Sequence, residues 1–196
     1  MLLDAVLPTY DFRERHAFWV PAPPERVYTA LQQVTPADTP LVRMIFGMLF
    51  EVRDLPARLV GRRVRGYDQA EPLWDQFVAA GFPVLAAVPC EEVVVGRIGQ
   101  FWRVWDAHAV PIDNAEEFRT FATPGYAKVA LNVTLTRLPW GTQLATETRI
   151  GTTDPAARRL FVPYWLVFQV GSAAIRHSWL HAVKRRALAS APSEPV

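Results

Sequence analysis

Residues 10–20, YDFRERHAFWV, alternate along the chain. Tyr10, Phe12, Glu14, His16, Phe18 and Val20 fall on one side, and Asp11, Arg13, Arg15, Ala17 and Trp19 on the other. A period of two predicts a strand with one buried face. The prolines of PAPPERVYTALQQV end that strand and open a helix, because proline is tolerated in a first helical turn. Val27, Ala30, Leu31 and Val34 then recur at helical spacing. Residues 40–52, PLVRMIFGMLFEV, read as a helix that is apolar on nearly every side, and 53–66 as a basic, irregular stretch.

A short helix is predicted over 71–80, stopped by Gly81. FPVLAAVP and residues 91–105, EEVVVGRIGQFWRVW, are rich in valine and aromatics and read as strands. Residues 106–125 form a connection with a helical turn at NAEEFRTF. Residues 126–138 and 142–153 flank PWG, which signals a hairpin with a turn longer than two residues. From TDPAARR onward the chain reads as one long helix, with Asp154 as N-cap and Pro155 at the first helical position. Pro163 falls inside it and predicts a kink or a split. Residues 191–196 read as a frayed tail.

The order of strand, two helices, several antiparallel strands and long final helix predicts an α+β fold. In that fold one curved antiparallel sheet carries the last helix across its concave face. The 196 residues fit a single domain, with its core over about 10–190.

Composition narrows the function classes. Hydrophobic residues make up 51% and charged residues 20%, as in a globular chain. A mean hydropathy of +0.07 argues against several membrane spans. A formal charge of +2 is too weak to predict nucleic-acid binding. Only Lys128 and Lys184 among the 21 basic residues are lysines, so single arginines carry little weight on sequence grounds. Cys90 is alone, which excludes a disulfide framework and a thiolate zinc site. No signal peptide is read at the N-terminus, and a cytoplasmic location is the default expectation. The apolar run from Leu160 to Ile175 is interrupted by Pro163, Gln169, Gly171 and Ser172, and it falls short of the roughly 20 residues of a membrane span.

Four stretches carry a resemblance: HAFWVPAPPERVYTAL, EEVVVGRIGQFWR, GYAKVALNVTLTRLPWGTQLATETRI and TDPAARRLFVPYWLVFQVGSAAIRHSWLHAVKRRA. Together they make the chain resemble the START-like, or SRPBCC, superfamily. That superfamily has the helix-grip fold of the birch-pollen allergen and of the polyketide cyclase/dehydrase-type bacterial proteins. The resemblance implies an elongated cavity between sheet and long helix, able to hold a small apolar molecule such as a lipid or a polyketide, with no cofactor. Pro163 departs from a straight gripping helix.

At about 100° per residue, Phe161, Trp165, Phe168, Ser172, Ile175, Trp179 and Ala182 share one stripe of the final helix. The plain reading makes this stripe solid core. Under the resemblance, Phe12, Phe18, Phe101, Trp165, Phe168, Ser172, Ile175 and Trp179 line the cavity. Glu14 and His16 share the face of Phe12 and Phe18. They read either as a satisfied structural pair or as an acid/base couple acting on a bound carbonyl. Arg97 alternates with Val93, Val95, Gly99 and Phe101; if it points inward it suits a carboxylate or phosphate on the ligand, and otherwise it faces solvent. With Glu14, His16 and Arg97 in catalytic roles, the alternative function is a cofactor-independent cyclase or dehydratase. A third reading is a regulatory or interaction protein with a closed cavity.

Glu147 is expected outside, opposite the more apolar face of Leu144, Thr146, Thr148 and Ile150. His177 and His181 lie four apart but are expected to project away from the core, so no metal site is read there. Arg58, Arg62, Arg63 and Arg65 follow the apolar helix 40–52, which makes 40–66 a candidate for transient contact with an anionic membrane. The apolar back of 160–170 leaves a monomer or a homodimer open.

Overall fold

The computed structural model describes residues 1–44, 68–103 and 108–189. The expectations for residues 45–66, including the basic stretch and its membrane contact, lie outside the described residues.

Five antiparallel strands form one sheet in the order β1-β5-β4-β3-β2. They are β1 (Phe12–Val20), β2 (Val84–Val88), β3 (Glu92–Gly99), β4 (Ala127–Leu138) and β5 (Gly141–Thr152). The helices are α1 (Leu2–Val6), α2 (Pro24–Gln33), α3 (Leu73–Ala79), α4 (Ala115–Thr120) and α5 (Pro155–Ala189). A 3₁₀ turn covers Pro36–Asp38, and residues 40–44 are again helical. A long terminal helix packed on one face of a five-stranded antiparallel sheet, with short helices after the first strand, is the helix-grip arrangement.

The sheet buries both faces, and the alternation in each strand decides which side chains go where. Register places Phe12, Glu14, His16 and Phe18 opposite Ile150, Thr148, Thr146 and Leu144. Those four in turn oppose Val129, Leu131, Val133 and Leu135, followed by Arg97, Val95 and Val93 on β3. This inner face carries the main core, in which Val95, Val133, Leu135 and Leu144 meet Val27 and Leu31 of α2 and Leu180 and Val183 of α5. The outer face has its own core, where Val94, Ile98 and Ala130 meet Leu3 and Val6 of α1 and Phe118 of α4.

The outer layer is absent from the sequence expectation. Its anchor is Glu92, whose carboxylate accepts from the amides of Leu2 and Leu3 at 2.7 and 3.1 Å and from Asn132 Nδ2 at 2.7 Å. An acceptor at the open amides of a helix start is favourable. Glu147 does point to the outer face, but α1 and the segment after it bury it to 2% exposure. It accepts from Arg13 at 2.7 Å and Arg149 at 2.8 Å, and Arg149 also donates to Asp4 and to the Leu7 carbonyl. Gly96 is required by close packing: a Cβ there would lie 2.5 Å from Leu85 and 2.9 Å from Phe118. The register shift falls in β2, between Val84 and Ala86.

Two further expectations are corrected. The hairpin turn is only two residues long, at 139–140, because Gly141 already pairs with Leu138. Gly141 adopts φ +150°, and a Cβ there would lie 2.3 Å from the Val20 carbonyl, so no side chain fits. Helix α5 runs unbroken for 35 residues through Pro163. Pro163 and Arg159 both lie on the exposed side, where water can take the carbonyl that proline leaves without a donor.

Candidate functional site

Helix α5 is fastened at both ends. At its start Asp154 accepts from the amides of Ala156 at 2.7 Å, Ala157 at 3.0 Å and Gly125. These backbone bonds, led by that from Ala157, hold the Asp154 carboxyl below the usual carboxylate range. Ala157 and Phe161 are buried, and Phe161 meets Phe12, Trp165 and Phe101 with ring centroids 5.4, 6.3 and 6.5 Å away. At the far end Arg176, Leu180, Val183 and Ala187 are buried. Between these clamps no residue from 162 to 175 is buried.

The stripe expected to line the inner face therefore divides. Phe12, Trp165 and Phe101 gather around Phe161; Phe101 belongs to a turn beyond the end of β3, not to the strand. Phe168 is 44% exposed and stacks on Tyr164 at 4.2 Å rather than facing the sheet. Ser172 and Ile175 are half-buried, and Trp179 packs against the main core. The buried line drifts round the helix, from Ala157 and Phe161 to Arg176, Leu180, Val183 and Ala187. His177 is exposed, as expected, and His181 is half-buried on the helix flank. Their rings lie 4.4 Å apart and edge-on to Phe18, at 5.0 and 4.7 Å.

Under the unburied stretch the inner face is polar. His16 Nε2 lies 2.8 Å from Glu14 Oε1, and Arg176 Nη1 lies 3.4 Å from Glu14 Oε2. Arg176 Nη2 donates to Ser172 Oγ at 2.8 Å. Burial pulls the Arg176 guanidinium below its usual value, and the charge of Glu14 pulls it back. Strand, strand and helix thus meet in one cluster of Glu14, His16, Ser172 and Arg176, with Thr146 and Thr148 beside it on β5.

Six buried side-chain atoms have no hydrogen-bond partner among the described residues: Glu14 Oε2, Arg97 Nε, Thr146 Oγ1, Thr148 Oγ1, Arg176 Nη1 and Trp179 Nε1. By register or by helix face, all six belong to the layer between sheet and α5. Folded proteins leave few such atoms unpaired, since each costs about 1–3 kcal/mol. Glu14 and Arg176 at least neutralise each other; the indole, the two hydroxyls and Arg97 have no such compensation.

His16 also reaches an open groove of about 610 Å³, lined by Leu41, His177, Ser178, His181 and Arg185 among others. Burial, then His177 and the cations Lys184 and Arg185, push His181 below the usual histidine value. The groove thus connects solvent to the Glu14–His16 pair.

The structure brings together Glu14, His16 and Ser172 around Arg176, while Trp179 packs against the main core. Arg97 also faces inward but lies apart, over toward α3. Arg176, Thr146, Thr148 and Tyr164 were not singled out from sequence. The two threonines were legible as polar positions on an otherwise apolar strand face. Arg176 was not, because a charge beside His177 near the end of an apolar run reads as a solvated flank.

No family model matches the chain, and no curated protein does. Among solved structures it is similar to protein MLL2253 from Mesorhizobium loti, with 16% identity over 89% of this chain and 98% of that one, at a TM-score of 0.38. It is similar to CV1439 from Chromobacterium violaceum, with 15% identity over 92% of this chain and 98% of that one, at 0.35. It is also similar to Ara h 8.0201, with 11% identity over 91% and 99%, at 0.30. Among the described residues no helix is long and apolar enough to cross a membrane.

Proposed function

We propose that this protein binds a small, largely apolar molecule between its sheet and α5. The observation that carries the proposal is the pairing of two features. No residue from 162 to 175 is buried, and the layer between sheet and α5 leaves an indole, two threonine hydroxyls and the Arg97 Nε without a partner. A ligand with an apolar body and a few hydroxyl or carbonyl groups would meet aromatic walls at Phe12, Phe101, Phe161 and Trp165. It would offer acceptors to the Trp179 indole and the threonine hydroxyls. Pockets of this kind, mostly apolar with a few fixed polar groups, are the usual form of small-molecule sites.

A second reading rests on Glu14 and His16. A carboxylate 2.8 Å from an imidazole that opens to the groove is the arrangement of a general acid/base pair. Arg176 would steady the carboxylate. On this reading the bound molecule is turned over by proton transfer at a carbonyl, in a cyclase- or dehydratase-type reaction.

Native mass spectrometry of the purified protein tests binding. A co-purifying small molecule is expected, retained by the parent chain and lost in Ser172→Trp, whose indole would fill the space beside Arg176. Circular dichroism should show that variant folded. A parent chain that carries no adduct and takes up none from a lipid or polyketide extract would defeat the proposal. Turnover that disappears in His16→Asn while binding persists would favour the second reading.

A further inference from the structure

Arg97 sits on the inner face of β3, opposite Val129, where the sheet emerges between α3 and α5. Its guanidinium lies 5.6 Å from the ring centre of Phe82, just after α3, and close enough to Tyr164 of α5 to interact with it electrostatically. Its Nε is buried without a partner, and no carboxylate among the described residues pairs with it. The other arginines held in the sheet layers are matched: Arg149 by Glu147 and Asp4, and Arg176 by Glu14. Lys128, the neighbouring cation on β4, faces the outer layer and donates to the carbonyls of Arg119 and Phe121.

Among the described residues the inner layer therefore holds one guanidinium more than its carboxylates balance. Arg97 is half-buried with its Nε out of water, and that partial burial without a counter-ion draws the guanidinium below its usual value. Its flat, forked donor set suits a carboxylate. One surplus charge matches a monoanion; a phosphate dianion would call for a second cation, and none of the described residues sets one beside Arg97.

We infer that the ligand is an amphipathic monocarboxylic acid, its carboxylate held by Arg97 and its apolar body lying under α5 toward Thr148 and Trp179. This rests on the binding role proposed above and adds the chemical class. Arg97 and Thr148 are two strands and one register pair apart, so the apolar body would span roughly 10–12 Å at ordinary strand spacing.

Matched probes test the inference: dodecanoic acid against dodecan-1-ol, and 1-pyrenebutyric acid against 1-pyrenebutanol, titrated at pH 7.5. Each acid is expected to bind more tightly than its alcohol. In Arg97→Met and Arg97→Gln the acid should lose about 10- to 100-fold, the worth of one charge-assisted contact, while the alcohol is unchanged. Arg97→Met should also raise the melting temperature of the ligand-free protein, because it removes a half-buried charge that has no counter-ion. Equal affinity for acid and alcohol in the parent chain would overturn the inference and leave apolar binding standing. A lowered melting temperature in both variants would also overturn it, making Arg97 structural. If no member of either pair binds, the interior site itself is wrong, and this inference falls with it.

Discussion

Glu147 and Arg149 stand two apart on the same face of β5, and both are buried beneath α1. Burial alone would raise the Glu147 carboxyl, but hydrogen bonds from Arg13 and Arg149 outweigh it and hold it below the ordinary value of 4.5. A depressed carboxyl contributes stability that is present above about pH 4.5 and lost as pH falls through the folded value. Glu147→Ala leaves Arg149 buried with only the exposed Asp4 as counter-charge, and should cost about 3–5 kcal/mol in urea unfolding at pH 7. The gap between parent and variant should narrow on going to pH 3; a constant gap would show that Glu147 stabilises by packing alone. The sequence placed Glu147 on the correct face and left it in water. A five-residue helix at the chain start gives too short a period to read, so its cover was invisible. Arg97 and the Glu14–His16 pair show the converse. Strand alternation put Glu14 and His16 on the inner face but left Arg97 open between inside and solvent, and Arg176 as the partner of Glu14 was not legible.

Helices and strands were the most legible scale. The long final helix, its Asp154 cap and the pair of strands before it follow from periodicity and capping chemistry; only the length of the hairpin turn and the break at Pro163 differ from expectation. What periodicity could not give was the rotation of the buried line along α5. A fixed 100° step assumes one flat contact, whereas this helix touches the fold at two ends whose faces differ. Phe168 was misplaced for that reason, as was His181. Gly171 falls in the lifted middle, and a Cβ there would meet nothing within 4 Å. Gly171→Ala should therefore gain helix propensity without a clash, raising stability by about 0.5–1 kcal/mol. Thermal unfolding reads this directly. A loss instead would mean that the middle of α5 is closely covered, against the account of the site.

At the scale of the whole molecule, one sheet is packed on both faces, and the two faces differ in how their polar groups are met. The outer layer pairs its buried charges fully through Glu92, Asn132, Glu147 and Arg149. The inner layer leaves an indole, two hydroxyls and a guanidinium unpaired. The same chain satisfies one buried network and not the other, which is why the inner deficit reads as a place for a ligand and not as loose folding. The Trp179 indole reports on that place, because its Nε1–H is buried and unpartnered. Seven tryptophans give a small set of indole signals, and Trp179→Phe identifies the one required. In a nitrogen–proton correlation spectrum titrated with 1-pyrenebutanol, the Trp179 signal should move and saturate while that of the exposed Trp140 stays fixed. A Trp179 signal that does not move, whether or not the probe binds elsewhere, would contradict a ligand site beneath α5.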